Sequence, residues 1–181
     1  MSSTTAGTTA ERLLEAGREE LRAVGHQTLT IRTVAHRAGL SPATAYTYLA
    51  SKDRLYAELF WRFLLEDADV RPEGADPVSR VRWVTRGLAQ RLAAAPELAA
   101  AVTPALLGPD PEVAELRLRI GAELVRRFRV ALGDEAEPDV LETLALAFSG
   151  ALLQAGMGLM TYAEMADRLD AVVAVIMRGS R

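Results

Sequence analysis

The chain has 181 residues, 50% of them hydrophobic, and no cysteine; that is enough for a sizeable core and excludes disulfides, thiol nucleophiles and cysteine metal sites. Net charge is −3, yet residues 1–54 sum to +2 and the remainder to −5. Between His26 and Arg54, Arg32, Arg37, Lys52 and Arg54 stand against Asp53 alone, which draws a polyanion to that end, a solvated face with chance clustering being the alternative on charge alone. The N-terminus, MSSTTAGTTAERLLEAG, has no basic start leading into an apolar run and does not read as a signal peptide.

β-Branched and aromatic residues never alternate over a useful length, whereas helical spacings recur throughout, so an all-α protein is predicted. A first helix is announced by Thr8-Thr9-Ala10-Glu11, a capping-box pattern, and ends at Gly25. A second takes Thr30 as cap, turns Ile31, Val34, Ala35 and Ala38 inward and stops at Gly39. A third starts at Ser41 with Pro42 in the first helical position, where its missing N–H costs nothing. The fourth, from about Lys52 or Asp53, contains LYAELFWRFLLE and runs into a polar loop, DADVRPEGADP.

Beyond the loop come VSRVRWVTRGLAQRLAAA, then PELAAAVTPALLG broken by Pro96 and Pro104, then an amphipathic helix with Val113, Leu116, Ile120, Leu124 and Phe128 on one stripe. Two closing helices are expected at about 138–160 and 163–178. Overlapping the first of them, residues 143–161 are uncharged and long enough to span a bilayer. Acidic flanks, Gln154, Ser149 and three glycines favour instead a helix buried in a core or a subunit interface.

Enzymatic readings find no support in the residues. His26 and His36 read as surface residues, no glycine-rich phosphate loop follows a strand, and no carboxylate pair is singled out by spacing. Neither a cofactor nor a metal is expected. Residues 31–50 read differently: a short helix, a turn at Gly39-Leu40 and a second short helix make a helix-turn-helix arrangement, whose second helix lies in the major groove of DNA.

The run RLLEAGREELRAVG, followed by TLTIRTVAHRAGLSPATAYTYLASKDRLYAELF, resembles the N-terminal DNA-binding domain of TetR-type transcriptional regulators. The shared pattern is a first helix ending in glycine, a threonine-capped second helix, Ala-Gly-Leu-Ser at the turn, Thr-x-Tyr-x-Tyr in the recognition helix and Ser-Lys-Asp-x-Leu after it, over about residues 11 to 60. Ala43 stands where the family often has glycine and Ala45 where leucine is usual. The resemblance implies a helix-turn-helix DNA-binding domain at residues 1–54 and a helical ligand-binding and dimerisation domain at 55–181.

It also implies phosphate contacts from Thr30, Tyr46, Tyr48 and Lys52, which position the domain without reading sequence. Arg32, where family members reach a base or backbone, and Pro42, Ala43, Thr44 and Thr47 at the exposed start of the recognition helix are the candidate base readers, and the cap Ser41 is counted with the DNA-binding residues. Threonines donate and accept, Ala43 and the threonine methyls suit the thymine methyl, and only Arg32 is built for a bidentate guanine contact. Tyr46 and Tyr48 lie about 200° apart on a helix, so Tyr46 is expected to face phosphate and Tyr48 to be partly packed.

The family's last two helices pair with those of a second subunit, which fits the nearly all-round apolar character of residues 138–160. Phe60, Phe63, Trp83, Thr103, Phe128, Gln154, Met157 and Met160 are candidates to line an effector pocket, each having a plain core role as the alternative. The resulting expectation is a cytoplasmic, homodimeric repressor without enzymatic activity, released from a pseudo-palindromic operator by a small hydrophobic ligand. The rival reading is a helical small-molecule-binding protein that does not bind DNA.

Overall fold

A computed structural model describes the backbone of residues 3–179 and the side chains of residues 9–179. The described residues form α1 (Ser3–Thr28), α2 (Ile31–Arg37), α3 (Pro42–Leu49), α4 (Lys52–Leu65), α5 (Pro77–Ala93), α6 (Pro96–Leu107), α7 (Ala114–Leu132), α8 (Pro138–Gly156) and α9 (Tyr162–Gly179), with single 3-10 turns at Pro111–Val113 and Gly133–Glu135 and no strand. The all-α expectation holds.

Helix boundaries follow the local chemistry in most places. α1 breaks at Gly25 (φ 74, ψ 166) as expected, but its backbone is already helical from Ser3, ahead of the capping box anticipated at Thr8; the side chain of Thr8 lies outside the described residues. Pro96 opens α6 rather than breaking it, and Pro104 is carried inside that helix. A proline there forfeits one donation to the carbonyl four residues back, and that residue, Ala100, is exposed to water. No helix of the described residues is long and apolar enough to cross a membrane; the uncharged run is divided between α8, which stops at Gly156, and the turn after it.

Two main cores are joined by α4 and α6. Leu13, Leu14, Leu29, Ile31, Val34, Ala45 and Leu49 bury against one another in an N-terminal head. Phe60, Val84, Leu88, Phe128, Leu144, Phe148 and Leu169 form the core of the body, made of α5 to α9. α4 serves both, giving Leu55, Tyr56 and Leu59 to the head and Phe60, Phe63 and Leu64 to the body. α6 reaches the head core as well, through Ala101 and Ala105.

The body also buries charge, which its amphipathic patterning did not announce. Glu123 and Arg127 on α7 are 7% and 8% exposed and pair at 2.9 Å. Arg127 continues to Asp67 at 2.8 Å, and Arg91 of α5 reaches the same carboxylate at 2.5 Å. Burial alone would raise the Asp67 and Glu123 carboxyls, but hydrogen bonds from Arg127 with Arg91, and from Arg126 with Arg127, outweigh it and hold both below the ordinary carboxylate range. Elsewhere close packing needs a missing side chain: a Cβ on Gly156 would run into the Thr103 side chain, where α8 crosses α6.

Candidate nucleic-acid interface

The head presents α3 on a braced support. α2 begins with a reciprocal cap in which Thr30 Oγ1 accepts from the Thr33 N–H at 3.1 Å while the Thr30 N–H donates to Thr33 Oγ1 at 3.2 Å. After Arg37 the chain turns through Gly39 (φ 65), a left-handed position natural to glycine. Ser41 then caps α3, accepting from the Thr44 N–H at 3.1 Å, with Pro42 in the first turn.

Three contacts that the sequence did not suggest hold this unit on α1. Arg12 donates to the Ala38 carbonyl at 2.6 Å, satisfying a free carbonyl at the end of α2. Arg37 pairs with the buried carboxylate of Glu20 at 2.7 Å, and that hydrogen bond lowers the Glu20 pKa against the opposing effect of burial. Tyr56 of α4 donates to the His26 carbonyl at 2.7 Å; burial, with Asp53 nearby, pushes its phenol up to about 12, so it stays a donor at neutral pH. Each partner is 17 to 30 residues away along the chain, and no local signal marks any of them.

Only Ala45 and Leu49 of α3 are buried, so most of its circumference is open. Ser41, Pro42, Ala43, Tyr46, Thr47 and Tyr48 are exposed and Thr44 is half-buried. Tyr46 is 53% exposed and Tyr48 37%, and neither hydroxyl has a partner among the described residues. The threonines are more committed. Thr44 Oγ1 is 2.8 Å from Ser41 Oγ, and the Thr47 hydroxyl donates back to the Ala43 carbonyl at 3.1 Å, which leaves Thr47 with lone pairs and a methyl to offer outward.

Around this face stand cations. Arg32 is exposed on the first turn of α2 and makes no ion pair or hydrogen bond among the described residues. Lys52 opens α4 and its Nζ donates to the Gln27 carbonyl at 3.3 Å, which holds the ammonium at the end of α1. Thr30, the cap of α2, is exposed. The ten sequence-predicted DNA residues thus lie on α2, α3 and the start of α4 of one small unit.

The eight candidate effector residues do not all line one of the larger clefts among the described residues. Phe60 and Phe128 are packed in the body core at 1% exposure each, Met160 and Thr103 are buried, and Trp83 is half-buried. Gln154 and Met157 face outward, on the side of the end of α8 opposite the buried Ala155. Phe63 alone among them lines a sizeable opening, a cleft of about 470 Å³ between α1, α4 and the α5–α6 junction.

Comparison with known proteins agrees with this geometry. Residues 13–59 match a family model described as bacterial regulatory proteins, tetR family. The chain is 44% identical over 174 residues to an HTH-type transcriptional regulator of Mycobacterium tuberculosis, covering 95% of this chain and 82% of that protein. In fold it is similar to a TetR transcriptional regulator from Rhodococcus sp. RHA1, with a TM-score of 0.80 at 18% identity over 94% of this chain and 97% of the other. It is also similar to Thermus thermophilus FadR, a TetR-family repressor in complex with lauroyl-CoA, with a TM-score of 0.68 at 22% identity over 91% and 93% of the two chains.

Proposed function

The chain belongs to the TetR family of bacterial transcriptional regulators, and we propose that it acts in the cytoplasm as a repressor, without enzymatic activity, that leaves a pseudo-palindromic operator when a small molecule with an apolar body binds. The observation that carries this reading is the open face of α3, flanked by Arg32 and Lys52 on a head braced by Arg12, Glu20 and Tyr56. In it, residues 1–54 bind DNA and residues 55–181 bind the effector and the second subunit.

Roles divide by chemistry. Thr30, Tyr46, Tyr48 and Lys52 grip phosphates, while Arg32, Ser41, Pro42, Ala43, Thr44 and Thr47 discriminate bases. Two copies join through α8 and α9, whose exposed Leu146, Val172 and Val175 are apolar surface a partner would cover. That pairing sets two α3 helices one helical turn of DNA apart. The apolar effector is supported by the acyl-CoA complex of the Thermus relative in fold.

Fluorescence anisotropy across a salt series tests the phosphate grip. Lys52→Ala and Tyr46→Phe are expected to weaken binding to every duplex, with the lysine change lowering the salt slope by about 1. Unchanged affinity in both variants would contradict the assignment. Arg32→Ala or Thr44→Ala should instead relax preference at particular base pairs, by about 1–3 kcal/mol where a bidentate contact is lost.

A further inference from the structure

The cleft of about 470 Å³ at the seam of head and body falls within the range of about 300–1,000 Å³ usual for small-molecule sites. Its floor is apolar: Leu21 from α1, Leu59 and Phe63 from α4 and Leu98 from α6. Its rim is charged, with Arg18, Arg22 and Arg91 against Glu66 and Glu97.

The rim charges are not equally committed. Glu66 is shared by Arg18 at 3.3 Å and Arg91 at 2.9 Å. Arg91 is further held by Asp67 at 2.5 Å and lies 4.1 Å over the Phe63 ring. Arg22, one helical turn after Arg18 on the same face of α1, is exposed and has neither an ion pair nor a hydrogen bond among the described residues. One guanidinium fork is therefore spare, and a guanidinium fork matches a carboxylate through two parallel hydrogen bonds. Glu97, on the α6 wall, repels an anion from that side and so gives a bound one a direction.

We propose that this cleft is a binding site for a small monocarboxylate with an apolar body, its carboxylate on Arg22 beside Arg18 and its body over Leu21, Leu59, Phe63 and Leu98. A single spare fork suits one negative charge. This seats the effector at the seam instead of within the body core, with α1 adding its arginines to a site otherwise built from residues 55–181, and to that extent it rests on the reading of an effector-controlled regulator. Because Arg18, Leu21 and Arg22 belong to α1 and the rest of the lining to α4, α5, α6 and the turn between the last two, an occupant touches both parts and favours whichever relative placement fits it better.

Calorimetry on the full chain tests the site, using straight-chain carboxylates of about six to twelve carbons and 4-phenylbutyrate, sizes that suit the cleft, with the matching alcohols as neutral controls. Binding of at least one carboxylate is expected, about tenfold or more tighter than its alcohol. Arg22→Ala should remove that difference while leaving the alcohol unaffected. Ala94→Trp, at an exposed position lining the cleft, should abolish both with the melting temperature preserved. No binding by any of these probes at millimolar concentration, or binding that survives both substitutions, would overturn the site. Operator affinity measured with and without the bound carboxylate is the separate arm: binding at the cleft with no change on DNA keeps the site and contradicts the effector reading.

Discussion

In the head the caps that start the recognition unit are short-range, and its braces to α1 span no more than 30 residues. Thr30 meets Thr33, Ser41 meets Thr44 and Thr47 meets Ala43, each three or four residues apart. In the body they span the chain: Arg127 reaches Asp67 across 60 residues and Arg82 reaches the Asp170 carbonyl across 88. Short helices with little burial depend on caps, since isolated helices of their length are marginal. Long helices close a core and can carry an ion pair into it, provided every member is satisfied.

The contrast breaks hardest at Arg127. Arg127→Ala leaves the buried Glu123 with Arg126 alone and the half-buried Asp67 with Arg91 alone, and a loss of about 3 kcal/mol is expected in urea unfolding followed by circular dichroism. The same cluster sets an acid limit. Asp67 and Glu123 are held below their ordinary values of 3.8 and 4.5, so the unfolded chain binds more protons there. Their contribution to stability is complete above those values and is lost as pH falls through the lower folded-state values. Thermal melts at descending pH should show the wild type falling in this window and Arg127→Ala falling less.

Gly156→Ala is the next largest effect, about 1–3 kcal/mol, because the added methyl must displace Thr103 at the α6–α8 crossing. In the head, Thr30→Ala removes one side of a reciprocal cap and should cost about 1 kcal/mol. It should lower protection of the α2 amides in hydrogen exchange before it lowers the global midpoint. Least affected should be Asp167→Ala, which removes an exposed partner of Arg86, 76% exposed as a side chain, and is expected to change the midpoint by less than about 0.5 kcal/mol.

The same difference in range explains what could be read from the sequence. Thr30, Gly39, Ser41 and Pro42 act on their immediate neighbours, so α2 and α3 and the exposed face between them were legible residue by residue. Glu123 and Arg127, four apart on a helix, look like a solvated pair, and only Asp67 arriving from the end of α4 makes them a buried one. The Arg12 and Tyr56 braces are equally silent, being single side chains aimed at distant carbonyls. Aromatic and amide residues such as Phe60, Phe128 and Gln154 carry no mark that separates a cavity wall from a packed core or an open surface. Which of them meet is decided by helix crossings.

Selection of bound sequences from a random duplex pool by the full chain tests the central claim most directly, because it reads DNA recognition and dimer symmetry together. The expected product is an enriched pseudo-palindrome with half-sites centred about 10 base pairs apart, or a multiple of that helical turn, and Arg32→Ala should relax it at defined positions. A pool that emerges without enrichment, while the chain remains folded and dimeric, would contradict the assignment of α3 as a sequence reader.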